Sequence, residues 1–200
     1  MVTTLTDEVK QIKKYAIDEN IPIMQDDGID FLTTFIIKNK INTVLEIGTA
    51  IGYSAIKMAL ANPNLKIISI ERDEKRYLEA VKNIKKLQLD DRITLIFKDA
   101  LEVKLDEKFD LIFIDAAKSQ SINFFEQFEK NLNENGYIIT DNLNFHGFVD
   151  KKEDEIKSKN LRALVRKIKD YKVYLQENKR YNTIFYEIGD GISLSKKIDI

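Results

Sequence analysis

The sequence contains no cysteine and a single histidine, His146, so it offers no disulfide framework, no thiolate nucleophile and no Cys-based or His-rich metal cage. Any metal must be bound mainly by oxygen. Glycine and proline are scarce, seven and two in 200 residues, and no Pro/Gly/Ser-rich linker, internal repeat or low-complexity tract divides the chain. With 44% hydrophobic residues, this length supports one continuous core and leaves little room for a second, so a single domain over 1–200 is expected. No run approaches the roughly 20 uninterrupted apolar residues of a membrane span. The N-terminus, with Asp7, Glu8, Lys10, Lys13 and Lys14, lacks the apolar centre of a signal peptide, and a cytoplasmic location is expected. The net charge of -1 argues against wholesale polyanion binding. It conceals an asymmetry, because residues 151–180 alone hold 11 Lys/Arg against 5 Asp/Glu. Such a segment could meet nucleic acid or another anion, and it is equally the composition of a solvated helix face.

What the chain does have is alternation. Helical spacing covers 6–19 (Val9, Ile12, Ile17) and 27–38 (Phe31, Phe35, Ile36). Short apolar runs at 43–47, 66–70, 93–97, 111–114 and 137–140 predict buried strands, and amphipathic stretches at 53–61, 74–87 and 121–131 lie between them. This rhythm requires a parallel sheet with helices on both faces, so the fold class is α/β. Leu161, Leu164, Val165, Ile168 and Leu175 predict a further helix. Two last strands, 182–188 and 192–195, are separated only by Gly189-Asp190-Gly191. That connection is too short for a helical crossover, so they must form an antiparallel hairpin.

The first strand runs into Leu45-Glu46-Ile47-Gly48-Thr49-Ala50-Ile51-Gly52-Tyr53-Ser54, where glycines let a ligand approach the backbone. Their G-x-x-x-G spacing does not reproduce the pyrophosphate cradle of a nicotinamide enzyme. Glu46 places a carboxylate before the turn, better suited to a cationic amine than to a phosphate. Glu71 ends the second strand, where a carboxylate can accept two hydrogen bonds from a ribose diol. Asp99 and Ala100 follow the third strand, where they could read an adenine edge. Taken singly, each is ordinary surface chemistry; together, on the rim where open α/β sheets bind ligands, they favour a nucleoside-bearing cofactor.

The run Val44 to Ala55, the run Phe113-Ile114-Asp115-Ala116-Ala117-Lys118, the pair Asp141-Asn142 and the ending Ile188-Gly189-Asp190-Gly191 resemble the bacterial branch of the metal-dependent O-methyltransferases, relatives of the catechol and caffeoyl-CoA enzymes. The resemblance covers nearly the whole chain. It implies the class I methyltransferase fold, a Rossmann-like, seven-stranded, mostly parallel sheet with an antiparallel last strand. It also implies S-adenosylmethionine as cofactor, with Met24, Glu46, Gly48, Ser54, Glu71, Asp99, Ala100 and Asp115 lining its pocket. A homodimer is implied too, with residues 1–40 as a helical cap or dimer element. Within the family, Tyr15-Ala16, Asn20-Ile21-Pro22-Ile23-Met24 and Thr49-Ala50 look most like bacterial tRNA 5-hydroxyuridine methyltransferases.

Asp115 and Asp141-Asn142 follow strands four and five, emerging at one edge of the sheet. Two carboxylates and an amide oxygen are hard ligands suited to Mg²⁺, although Asp-Asn after a strand is also common turn chemistry. A cation there would position an acceptor with two adjacent oxygens and acidify its hydroxyl. Lys118 matches the family's D-x-x-K position and would act beside Asp115 in catalysis as general base; an exposed lysine at a helix start is the competing reading. The leading acceptor is the 5-hydroxyl of a tRNA wobble uridine, with a catechol-like or caffeoyl-type phenol as the alternative. His146 is read as a loop residue near the mouth, and Phe145, Phe148 and Tyr137 as rings that could stack on a planar substrate or pack as core.

Overall fold

The computed structural model describes residues 4–198, so both ends of the domain expected over 1–200 lie outside the described residues. Thirteen main elements follow in chain order. They are α1 (Leu5–Asp18), α2 (Asp26–Lys38), β1 (Thr43–Ile47), α3 (Tyr53–Ala61), β2 (Lys66–Glu71), α4 (Glu74–Lys86), β3 (Ile93–Phe97), β4 (Phe109–Ile114), α5 (Ser121–Phe128), β5 (Leu132–Thr140), α6 (Lys159–Glu177), β6 (Tyr181–Tyr186) and β7 (Ile192–Lys197). The strands form one sheet in the order β3-β2-β1-β4-β5-β7-β6. Only β7 runs against its neighbours, antiparallel to both β5 and β6, as the short Gly189–Gly191 connection requires.

Period-two alternation along the strands separates two apolar layers. On β4, Leu111 and Phe113 face the layer that includes Ile12 and Ala16 of α1, Ile29, Leu32 and Ile36 of α2, Ile56 of α3 and Ile84 of α4. Ile112 and Ile114 face the other layer, joined by Phe109 across the irregularity between Phe109 and Leu111, with Phe124, Phe125 and Phe128 of α5 and Val165, Ile168 and Tyr171 of α6. Helices therefore cover both faces, and truncating a fully buried Leu, Ile or Phe among these to alanine would cost about 2–5 kcal/mol.

Local chemistry sets the helix starts. Thr4 and Asp7 form a reciprocal capping box on α1, and Asp73 caps α4 by accepting from the Arg76 amide at 2.9 Å. Helix α1 buries only Ile12 and Ala16. Ion pairs supplement that packing: Lys13 with Asp26 of α2 at 2.6 Å, Glu19 with Lys75 of α4 at 3.6 Å, and Glu8 with Lys86. The segment 20–25 between α1 and α2 is thereby draped across the carboxyl end of the sheet.

Two element boundaries differ from expectation by more than two residues. Strand β5 begins at Leu132, five residues before the apolar run at 137, because its register against β4 shifts between Phe109 and Leu111 and loops out the polar Asn133–Gly136. The stretch expected as helix through 131 stops at Phe128 and tightens into a 3-10 turn over Glu129–Asn131. Among the described residues no helix is long and apolar enough to cross a membrane.

Candidate active site

A cavity of about 750 Å³ opens at the carboxyl ends of β1, β2, β3, β4 and β5. Its floor is the β1–α3 turn. Gly48 adopts φ +102°, and a Cβ there would lie 2.2 Å from the Asp115 carbonyl oxygen, so this crossing of two strand ends admits only glycine. Met24, Gly48, Ser54, Glu71, Asp99, Ala100, Asp115, Lys118 and Asn142 all line the cavity, so nine of the eleven expected site residues face one space.

The two exceptions are Glu46 and Asp141. Glu46, expected to face an amine, is wholly buried and does not line the cavity. Ser54 donates to its Oε1 at 2.5 Å and Ser69 to its Oε2, and Thr49 Oγ1 lies 2.5 Å from Ser69 Oγ. Burial pushes the Glu46 carboxyl up to about 8, against the opposing effect of the two serines, and the charges of Asp115 and Glu71 raise it further. Glu46 thus reaches the cavity only through Ser54 and, by way of Ser69, Thr49.

At the β2 and β3 ends the acidic groups are held by backbone amides. Glu71 Oε2 accepts from the Ala50 amide at 2.7 Å, and Oε1 accepts from the Arg72 and Asp73 amides at 2.9 Å each. These bonds join the β2 end to the glycine turn. Asp99 accepts from the Leu101 amide at 3.0 Å and from Arg72 Nη1 at 3.1 Å, and these bonds hold its carboxyl below the usual range. Arg76 and Lys98 add two further cations to this end of the cavity, which sequence reasoning did not single out.

At the β4 and β5 ends lies an electrostatically tense cluster. Lys118 Nζ donates to Asp115 Oδ1 at 2.8 Å, with both side chains largely covered. Asp141, 2% exposed, has an Oδ1 with no hydrogen-bond partner. Its carboxyl is pushed up to about 7, first by burial and then by repulsion from Asp115, with Lys118 opposing. An orphaned buried carboxylate oxygen beside a second carboxylate and an amide is a donor set that a divalent cation would satisfy. Among the described residues no three His, Cys, Asp or Glu side chains gather to hold a metal, so a third protein oxygen would have to come from another residue type, such as the Asn142 amide.

Ala117, Ser119, Phe124, Phe145, His146 and Leu164 also line the cavity. His146 sits at the mouth with its side chain 67% exposed, in accord with its reading as a loop residue. Of the three candidate stacking rings only Phe145 lines the cavity. Phe148 lies beneath Lys151, 4.4 Å from its ammonium. Tyr137 packs edge-on against Phe35 at 4.9 Å and borders a separate depression of about 300 Å³ at the opposite end of the sheet. Asp190, which the sequence presented in a hairpin turn and in the ending that carries the resemblance but with no role in the site, also lines the cavity.

Comparison with known proteins places this geometry. A family model described as O-methyltransferase matches residues 3–198. A candidate caffeoyl-CoA O-methyltransferase from Arabidopsis thaliana is 32% identical over 194 residues, 94% of this chain and 82% of that protein. The crystal structure of a candidate caffeoyl-CoA O-methyltransferase from Staphylococcus aureus, 35% identical, matches with a TM-score of 0.90 over 95% of this chain and 92% of that one. An O-methyltransferase from Bacillus cereus, solved in complex with SAH, is 25% identical with a TM-score of 0.80, covering 96% and 90%.

Proposed function

Because this chain belongs to the O-methyltransferase family, we propose that it uses S-adenosylmethionine and a divalent cation, Mg²⁺ by its oxygen donors, to methylate one hydroxyl of a small phenol bearing two adjacent oxygens. The observation that carries this reading is the partnerless Asp141 Oδ1 beside Asp115 and Asn142, the latter two lining a cavity large enough for a nucleoside cofactor and a compact acceptor.

S-adenosylmethionine supplies the methyl group on a sulfonium. Glu71 and Asp99 would receive its ribose and adenine, Gly48 would let it approach the backbone, Met24 would cover it, and Ser54 and Asp115 would meet its amino-acid end; that all six line one cavity supports this reading. Support for this cofactor comes from the SAH complex of the Bacillus cereus relative. Asp115, Asp141 and Asn142 would hold the cation, which would supply positive charge to orient the acceptor and acidify its hydroxyl. Lys118 stands at the same edge to take the hydroxyl proton. Its Nζ donates to Asp115 Oδ1 at 2.8 Å, which holds the amine at the edge where the hydroxyl would lie. Phe145 and Leu164 wall the acceptor side and exclude water from the transfer.

The tRNA acceptor offers the same two-oxygen bite, and its support is the resemblance at Asn20-Ile21-Pro22-Ile23-Met24 and Thr49-Ala50 together with the basic segment 151–180. Several of those cations are engaged within the chain. Arg166 makes two 2.6 Å bonds to Glu153, Arg162 Nη1 donates to the Ile156 carbonyl at 2.6 Å, and Arg180 pairs with Glu129 at 2.9 Å. With the Arabidopsis thaliana and Staphylococcus aureus relatives both named for a caffeoyl ester, the phenol is the better supported acceptor. The test is incubation with S-adenosylmethionine, Mg²⁺ and either catechol and caffeoyl-CoA or total tRNA, followed by mass spectrometry. Methylated phenol is the expected product; methyl groups in tRNA nucleosides with none on any phenol would overturn the reading.

A further inference from the structure

We infer that Asp190 is a positioning residue that selects which end of the Asn142 side-chain amide faces the Asp115 and Asp141 carboxylates. The inference rests on the cation reading above and concerns a residue which that reading leaves unused. Asp190 occupies the turn between β6 and β7, is 5% exposed, and lies 48 positions from Asn142 in sequence. Its carboxylate points across to the loop after β5. Oδ1 accepts from the His146 backbone amide at 2.6 Å, and Oδ2 accepts from Asn142 Nδ2 at 3.5 Å.

The main chain fastens the same two segments. The Asn144 amide donates to the Asp190 carbonyl at 2.8 Å and the Leu143 amide to the Gly191 carbonyl at 2.9 Å. This approach is as close as backbone allows: Gly191 has φ +85°, and a Cβ there would meet Asn144 Cγ at 2.7 Å. The gripped loop needs an outside hold, because Asn142, Phe145 and His146 all adopt left-handed backbone at φ 63°, 44° and 55°.

The selection follows from donor chemistry. An asparagine amide has an oxygen end and an NH₂ end of nearly equal size, and packing alone discriminates poorly between them. An ionised carboxylate only accepts, so it holds the NH₂ end. Asn142 Oδ1 is then left free, with no hydrogen-bond partner among the described residues, and only that end can ligate a hard cation. An amide at position 190 could donate to Asn142 Oδ1 instead, and the selection would vanish.

The test is Mn²⁺ binding, measured by calorimetry and by electron paramagnetic resonance, on wild type, Asp190→Asn, Asn142→Asp and the double variant, with SAH affinity as the control for an intact cofactor site. Asp190→Asn should weaken Mn²⁺ about tenfold, the range seen for groups that orient metal ligands, with SAH affinity unchanged. In the Asn142→Asp background both ends of the side chain are oxygen, so adding Asp190→Asn should cost no Mn²⁺ affinity. An equal penalty in both backgrounds would show that Asp190 acts only through its charge and overturn the inference. Wild type that binds Mn²⁺ with Asp190→Asn unaffected would overturn the inference alone, whereas wild type that binds none would overturn the cation reading with it. Should Asp190→Asn not fold, exchange of the Asn142 NH₂ hydrogens in the unmutated protein decides: slow exchange is expected, and exchange at the free-amide rate overturns the inference.

Discussion

Glu46→Gln should stabilise the cofactor-free protein above neutral pH and leave it nearly unchanged in mild acid. Glu46 is wholly buried, and its carboxyl is raised from 4.5 to about 8 by burial, so the folded state holds a proton that the unfolded chain releases. Below about pH 4.5 both states are protonated and the group costs nothing. As pH rises toward 8 the unfolded state gains by ionising, and stability falls by about 1.4 kcal/mol per unit, a loss of about 4 kcal/mol by pH 8. Glutamine has the shape and the donor-acceptor pair of the neutral acid, so it can satisfy both Ser54 and Ser69 and cannot ionise. Urea denaturation of both proteins between about pH 5 and pH 8 should therefore give stabilities within about 1 kcal/mol at the acid end, diverging to about 3–4 kcal/mol in favour of the variant. Other titrating groups cancel in the difference. Parallel curves, with a constant offset across that range, would refute a buried neutral Glu46.

Gly48→Ala forces a Cβ onto the Asp115 carbonyl at a positive φ, and should cost about 3 kcal/mol or more, lowering the melting temperature by roughly 6–12 °C and weakening SAH binding in calorimetry. Lys118→Met keeps the length of the side chain without its amine; the rate of methyl transfer to catechol should fall about 10²-fold with SAH affinity little changed, and a rate within threefold of wild type would remove Lys118 from the chemistry. Asp141→Asn removes a repelled carboxylate whose folded value, about 7, lies above its unfolded one, so the penalty it relieves grows as pH rises from about 4 to 7. At pH 8 the metal-free variant should be more stable by about 2–4 kcal/mol in denaturant while losing Mn²⁺ binding, the trade expected of a functional site.

The fold was legible because the signals that set it are local. Short apolar runs and helical periods located the strands and helices, and the three residues Gly189–Gly191 dictated the antiparallel pairing of β7. What the sequence hid were consequences of register. Glu46 looked like a cavity carboxylate from its place before the glycine turn, yet β1 pairs Glu46 with Ser69 of β2 and sets Ser54 of α3 over it, closing the pocket from two elements. Tyr137 was a plausible stacking ring by type alone; its position in β5 puts it at the opposite end of the sheet from Asp141. Asp190 read as turn chemistry, because its contact with Asn142 exists only once β7 lies beside β5. By contrast, residues at the carboxyl ends of parallel strands, Glu71, Asp99 and Asp115, needed only the strand assignments to be placed on one rim.

The measurement that bears most directly on the account is methyl transfer from S-adenosylmethionine to catechol and to phenol, each with Mg²⁺ and with a chelator. Two adjacent oxygens are required if a cation held by Asp115, Asp141 and Asn142 positions the acceptor. Catechol should then be methylated at a rate that falls about 10²-fold or more on chelation, and phenol should be methylated slowly under both conditions. Equal rates on catechol and phenol, unaffected by the chelator, would contradict it.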